Sequence, residues 1–251
     1  MRRLVLVIEY MGTAYSGWQS QKHKNTVCDV LTEAIEKIVG EKITLFASGR
    51  TDLGVHALRQ YAHFDTNSDI LPFKLCLGVN TKLPYDIAVK ECYEVDDTFD
   101  ARKSAVSKTY LYKIYISPTH SPLRRFTHAQ LYFPLNIDKM KQAAVYLVGE
   151  HDFTAFMATG GQTKTAVRTI FDVKISSIGD EIHFEVTGNG FLYNMVRIIV
   201  GTLVKVGQGK IPPQQVKQML ELKKRSLGGK TMPPEGLYLF KVRYPEKYLV
   251  K

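Results

Sequence analysis

Hydrophobic positions along the chain alternate between two spacings, one suited to strands and one to helices. Residues 3–10 form a near-continuous apolar run, the mark of a strand covered on both faces. Thr26 and Asp29 then make a capping-box pattern. Behind it Val27, Val30, Leu31, Ala34, Ile35, Ile38 and Val39 recur with helical periodicity, and Gly40 closes the helix. Residues 43–48 and 60–66 alternate as strands, a short helix is expected near 72–79, and 87–94 reads as another strand. The predicted order is β-α-β-β-α-β.

The second half repeats that order. Residues 108–116 alternate with the strand period. Residues 138–148 place Met140, Ala143, Ala144, Leu147 and Val148 on one helical face, with Gly149 as the cap. Residues 169–175 and 182–187 read as a hairpin around Gly179-Asp180. A long, mostly apolar helix is predicted over 190–207. Pro212-Pro213 opens an extra helix with Val216, Met219 and Leu220 inward, and 237–242 is the closing strand.

This is the split-βαβ, ferredoxin-like order, read twice. The expected fold is α+β: two ferredoxin-like halves, 1–104 and 105–251, with mainly antiparallel sheets side by side and a cleft between them. Periodicity lapses near 101–107, where the boundary is expected. The same element order also serves RNA-binding sheets.

Composition narrows the function. Three cysteines, Cys28, Cys76 and Cys92, share no close spacing, so neither a disulfide framework nor a zinc knuckle is encoded. The apolar run behind Met1-Arg2-Arg3 is too short for a signal-peptide core, and no stretch reaches the roughly 20 apolar residues of a membrane span. A reducing cytoplasm is the expected home. Lys and Arg outnumber Asp and Glu by 34 to 24, a net charge of +10 that points to an anionic partner. Basic residues stand beside aromatic ones, as in Arg124-Arg125-Phe126 and Lys108-Thr109-Tyr110-Leu111-Tyr112-Lys113, a mixture suited to unstacked bases and phosphates. A solvated basic surface with half-buried sheet tyrosines explains the composition equally well.

Two features carry candidate chemistry. Gly49-Arg50-Thr51-Asp52-Leu53-Gly54-Val55-His56 holds a carboxylate on a loop bracketed by glycines, which permit tight turns and close chain approach. By itself such a loop more often serves its own backbone. The second feature is Arg197, in the middle of a helix that is apolar almost all round. A buried guanidinium needs a carboxylate and further acceptors. No residue three or four positions away supplies a carboxylate, so the partner comes from elsewhere in the fold or Arg197 reaches solvent along the helix edge. Asp52 is the candidate partner.

In order along the chain stand Tyr10-Met11-Gly12-Thr13-Ala14-Tyr15-Ser16-Gly17-Trp18-Gln19, the stretch 49–57, Phe99-Asp100-Ala101-Arg102 with Lys108-Thr109-Tyr110-Leu111-Tyr112, Gly149-Glu150-His151-Asp152-Phe153, and Gly190-Phe191-Leu192-Tyr193-Asn194-Met195-Val196-Arg197-Ile198-Ile199-Val200-Gly201. Together they closely resemble the tRNA pseudouridine synthase TruA family, from residue 4 to about 242. Leu53 stands where that family commonly has a smaller residue. The resemblance implies an isomerase that converts uridine to pseudouridine at positions 38, 39 and 40 of the tRNA anticodon stem-loop, without cofactor or metal, acting as a homodimer. It implies Asp52 as the catalytic aspartate, Tyr110 as the ring against the target base, Arg197 as the arginine paired with Asp52, and Arg50 as a residue that holds the flipped nucleotide out.

Two competing readings remain at this stage: a non-catalytic RNA-binding protein built on duplicated sheets, and an aspartate-dependent phosphoester hydrolase. The first leaves Arg197 and the Asp52 loop without purpose. The second wants a further carboxylate or a metal beside Asp52. The histidines show no H-x-x-x-H or H-E-x-x-H spacing, so no metal is expected. His151-Asp152 reads as a structural loop pair in preference to a proton relay. Gly188-Asn189-Gly190 is either a tight turn or a phosphate cradle ahead of a helix, Trp18 either a packing anchor or an RNA contact, and residues 223–225 either a solvated helix end or a tRNA contact. Tyr112 and Tyr115 read as ordinary sheet tyrosines.

Overall fold

The computed structural model describes residues 1–22, 25–161 and 163–248. Its contacts divide the chain into two units, Met1–Val106 with Tyr238–Lys251, and Ser107–Leu237.

In the first unit β1 (Arg2–Tyr10), α1 (Val27–Val39), β2 (Phe46–Ala47), β3 (His56–Thr66), α2 (Pro72–Asn80) and β4 (Ile87–Val95) follow in the expected order. β1 pairs antiparallel with both β3 and β4, and β2 pairs antiparallel with β3, which is the ferredoxin-like arrangement. Central β1 is buried from Leu4 to Ile8, as its apolar run requires. The α1 cap forms as predicted: the Thr26 hydroxyl accepts from the Asp29 N–H at 3.2 Å, and Gly40 ends the helix at φ 76°. Phe99-Asp100-Ala101-Arg102 is tied into the fold of the first unit. Phe99 is buried, the Asp100 carboxylate accepts from the Arg102 and Lys103 N–H groups, and the Ala101 carbonyl accepts from the Tyr244 hydroxyl.

The second unit contains β5 (Ser107–Ile116), β6 (Ala129–Leu131), α3 (Ile137–Ala144), β7 (Gly149–Asp152), β8 (Val167–Ile178), β9 (Glu181–Gly188), α4 (Met195–Gly207) and α5 (Gln215–Leu222). Antiparallel pairing joins β5 to β9, β9 to β8 and β8 to β7, while the short β6 runs parallel to β5. The hairpin turns at Gly179, with φ 62°, and α5 buries Val216, Met219 and Leu220 as expected.

The structure departs from the sequence reading in several places. The strand expected over 43–48 shrinks to two residues, and β6 and β7 were not foreseen. α4 begins at Met195 instead of 190, because Asn194 takes a left-handed conformation (φ 58°) that breaks the helical path. The Gly188-Asn189-Gly190 turn therefore does not precede a helix N-terminus. Asn189 instead exchanges two hydrogen bonds with the Thr169 backbone, each 3.0 Å. The closing strand, β10 (Leu237–Arg243), pairs parallel with β3 through Tyr238 with His56 and Leu239 with Ala57. Contacts thus return residues 238–248 to the first unit, in place of one cut at 104; the last residues of the expected half 105–251, namely 249–251, lie outside the described residues. No helix among the described residues is long and apolar enough to cross a membrane.

Candidate active site

The carboxylate loop lies between β2 and β3, and both of its limbs are tied to fixed backbone. On the incoming limb the Ser48 N–H donates to the Tyr61 carbonyl (2.7 Å) and the Gln60 side-chain amide donates to the Gly49 carbonyl (2.7 Å). The tip is a turn closed by Val55 N–H to Asp52 carbonyl at 3.1 Å, with Gly54 at φ 77°. Gly49, the other bracketing glycine, needs no positive φ. On the outgoing limb the Gly12 N–H donates to His56 Nδ1 at 2.9 Å, so the neutral imidazole carries its proton on Nε2.

Residues 10–18 form the backing of this loop. The Trp18 N–H donates to the Thr51 carbonyl at 3.0 Å, and the Tyr10 hydroxyl meets Thr51 Oγ1 at 2.7 Å inside the protein. Burial pushes the Tyr10 phenol well above its ordinary pKa, so it remains a hydroxyl. Gly12 and Gly17 let the two chains touch. A methyl on Gly12 would overlap the Val55 carbonyl oxygen, and one on Gly17 would lie 2.6 Å from the Thr51 carbonyl oxygen. Trp18 is buried, with its ring 6.0 Å from that of Tyr10, so it is a packing anchor. The loop presents Asp52 half-buried and Arg50 exposed. Leu53 is 64% exposed, so its bulk does not press on the packing beneath.

Tyr110 lies on β5 in the second unit, opposite Val186 of β9, and its ring meets the Phe191 ring edge-on at 5.0 Å and 82°. Tyr112 and Tyr115 are buried structural residues, as expected. The Tyr112 hydroxyl donates to the Pro233 carbonyl (2.7 Å), and the Tyr115 hydroxyl accepts from the Ser121 N–H (3.0 Å).

Arg197 is half-buried on α4, and its Nε donates to the Met232 carbonyl at 2.6 Å while Nη1 donates to Asn194 Oδ1 at 2.7 Å. The left-handed Asn194 thus spends its side chain on the guanidinium rather than on capping the helix. A backbone crossing brings the Met232 carbonyl there. The segment 228–232 presses against α4 at Gly201, where a methyl would overlap the Lys230 carbonyl, and the Gly229 N–H donates to Thr202 Oγ1 at 3.0 Å. The guanidinium is therefore oriented by neutral acceptors of its own unit, a set the sequence reading missed because Met232 lies 35 residues away.

Other candidates resolve into structure. Lys223 pairs with Asp152 at 2.6 Å, and Arg225 donates to the Gly229 carbonyl at 2.7 Å, so two of the three residues 223–225 serve the fold. The Asp152 carboxyl is held down to about 2, first by Lys223 and then by the Thr154 hydroxyl and N–H. A depressed carboxylate pKa stabilises the fold fully above the unfolded value near 3.8 and loses that effect as pH falls towards 2. Lys223 is 55% exposed, and solvent screening keeps the effect small. Asp152→Asn is expected to cost about 1 kcal/mol or less at neutral pH. In denaturant unfolding across acidic pH, the gap from the parent protein should close between about pH 4 and pH 2. A gap that widened on acidification would refute the pairing.

His128, Glu181 and His183 converge in the second unit, a grouping that no local spacing announces.

The pattern defining the tRNA pseudouridine synthase family matches residues 6–102 and 143–245. The chain belongs to the tRNA pseudouridine synthase family. It is 48% identical over 244 residues to tRNA pseudouridine synthase A of Thermoanaerobacter sp. (strain X514), covering 97% of this chain and 100% of that protein. The proteins of the same name from Acetivibrio thermocellus and Caldicellulosiruptor bescii are 48% and 44% identical, at the same two coverages. This tRNA pseudouridine synthase is thus an enzyme, an isomerase, and the readings as a non-catalytic RNA binder and as a hydrolase fall away. The family pattern takes in Arg50, Asp52 and Arg197; Tyr110 lies between its two stretches.

Proposed function

We propose that this chain converts uridine to pseudouridine at positions 38, 39 and 40 of the tRNA anticodon stem-loop, as a cytoplasmic homodimer, with Asp52 as the catalytic carboxylate. The observation that carries the site assignment is the Asp52 loop itself, a carboxylate held half-buried on a turn whose limbs are both hydrogen-bonded to fixed backbone. Catalysis gains most from groups that need not reorganise.

In the reaction the C1′–N1 bond breaks, the uracil turns, C1′ bonds to C5, and the C5 hydrogen leaves as a proton while N1 gains one. Asp52 acts either as nucleophile or as base and stabiliser of positive charge developing at the sugar. Arg197 serves substrate binding as a cation; its bonds to Met232 and Asn194 fix the direction in which the guanidinium points. Tyr110 packs on the target base, a flat contact that recovers part of the few kcal/mol spent on unstacking and still allows the ring to turn. Exposed Arg50 holds the flipped nucleotide out.

Incubation with unmodified tRNA carrying uridines at 38, 39 and 40, followed by mass-spectrometric mapping, tests the reading. Pseudouridine is expected at those positions. Pseudouridine confined to another arm of the tRNA would overturn the positional assignment, and none at all would overturn the activity.

A further inference from the structure

Glu181 and His183 are two residues apart on β9, so their side chains leave the same face of the sheet. His128 reaches them from the turn before β6. Glu181 Oε2 lies 2.9 Å from His183 Nε2 and 3.3 Å from His128 Nε2, and the three ligand atoms all fall within 4.8 Å of one another. A tetrahedral zinc centre with bonds of about 2.0–2.1 Å spaces its donors about 3.3 Å apart, so the group needs little movement to enclose an ion.

An independent observation concerns His128. Its side chain is only 10% exposed, and Nε2 is aimed into the cluster, where Glu181 Oε2 lies 3.3 Å away. Its Nδ1 lies 2.9 Å from Thr127 Oγ1, a contact that holds the orientation of the ring, as a supporting contact does for a metal-bound imidazole. Glu181 is oriented as well, since its Oε1 is 3.4 Å from Arg124, itself held by both oxygens of Asp180.

We infer that His128, Glu181 and His183 form a binding site for a divalent zinc-like cation, completed by water. Two His and one carboxylate are a donor set for zinc or cobalt. The site stands apart from the base-contacting position proposed above. Tyr110 is opposite Val186, three residues from His183 on β9, so the two side chains project from opposite faces. Arg124 and Lys113, which is opposite His183 on β5, oppose a second positive charge. Affinity is therefore expected in the micromolar range.

The test is titration of chelator-treated, full-length protein with zinc chloride by calorimetry, and with cobalt chloride by visible absorption. One equivalent of each ion is expected, with cobalt giving the intense bands of a tetrahedral centre. His183→Gln and Glu181→Gln should each weaken zinc at least tenfold, and Thr127→Val, which changes no ligand, should weaken it severalfold. Replacing Cys28, Cys76 and Cys92 together by serine should change nothing. No binding by the parent protein at about 100 µM zinc, where an ion held by three ligands would saturate, overturns the inference. So does unchanged affinity in a folded His183→Gln protein, or loss of binding with the cysteines. Should His128→Gln fail to fold, the more exposed His183 carries the same test.

Discussion

Asp52→Asn is expected to lower pseudouridine formation by about a thousandfold or more, with unfolding midpoint and tRNA affinity close to those of the parent. Asparagine has nearly the same shape but can neither attack the sugar, take the C5 proton, nor offer a full negative charge to it. The fold should tolerate the change because the contacts holding the loop belong to other atoms: the Asp52 carbonyl to Val55, the Thr51 carbonyl to Trp18, and the Thr51 hydroxyl to Tyr10. Release of tritium from uridine labelled at C5 reads the step that commits the base, and single-turnover conditions separate it from product release. A folded variant retaining a tenth of the parent rate would remove Asp52 from the chemistry. Arg197→Lys supplies the complementary result. A single ammonium cannot hold both the Met232 carbonyl and Asn194 Oδ1 in the guanidinium's fork geometry, so turnover should fall even though the charge is kept.

How far such a site can be read from sequence depends on how local its determinants are. The cap of α1 lies within four residues, the inward face of α5 within one helix and the β8–β9 turn within a dipeptide, and all three were legible. The start of α4 was not, because the apolar pattern runs unbroken through 190–194 while one left-handed residue ends the helix. Nor was the placement of β10 legible, since alternation specifies a strand and not its neighbour. In the site, the glycine-bracketed carboxylate announced itself, but its restraints did not. Tyr10 and Thr51 are 41 residues apart, Arg197 and Met232 are 35 apart, and Glu181 lies far along the chain from His128. Contacts across that distance leave no periodicity.

Gly12→Ala puts the loop's backing to its hardest test. The added methyl would overlap the Val55 carbonyl oxygen, with the Val55 carbonyl carbon and N also close, so no side-chain rotation relieves it and one backbone must move. The expected cost is about 3 kcal/mol, at the upper end of overpacking effects. Gly40→Ala is the control. Its φ of 76° strains any side chain, yet a methyl there meets nothing, so the cost should be only about 1 kcal/mol. The two variants should also part in catalysis. Moving Val55 displaces the turn that its N–H closes on the Asp52 carbonyl and disturbs the Gly12 N–H bond to His56. Displacing a reacting group by about 1 Å costs on the order of 100-fold in rate. Gly12→Ala, assayed well below its own melting point, should therefore retain about 1% of parent activity, and Gly40→Ala nearly all of it. Equal activity in the two folded variants would mean that residues 10–18 support the fold without positioning Asp52.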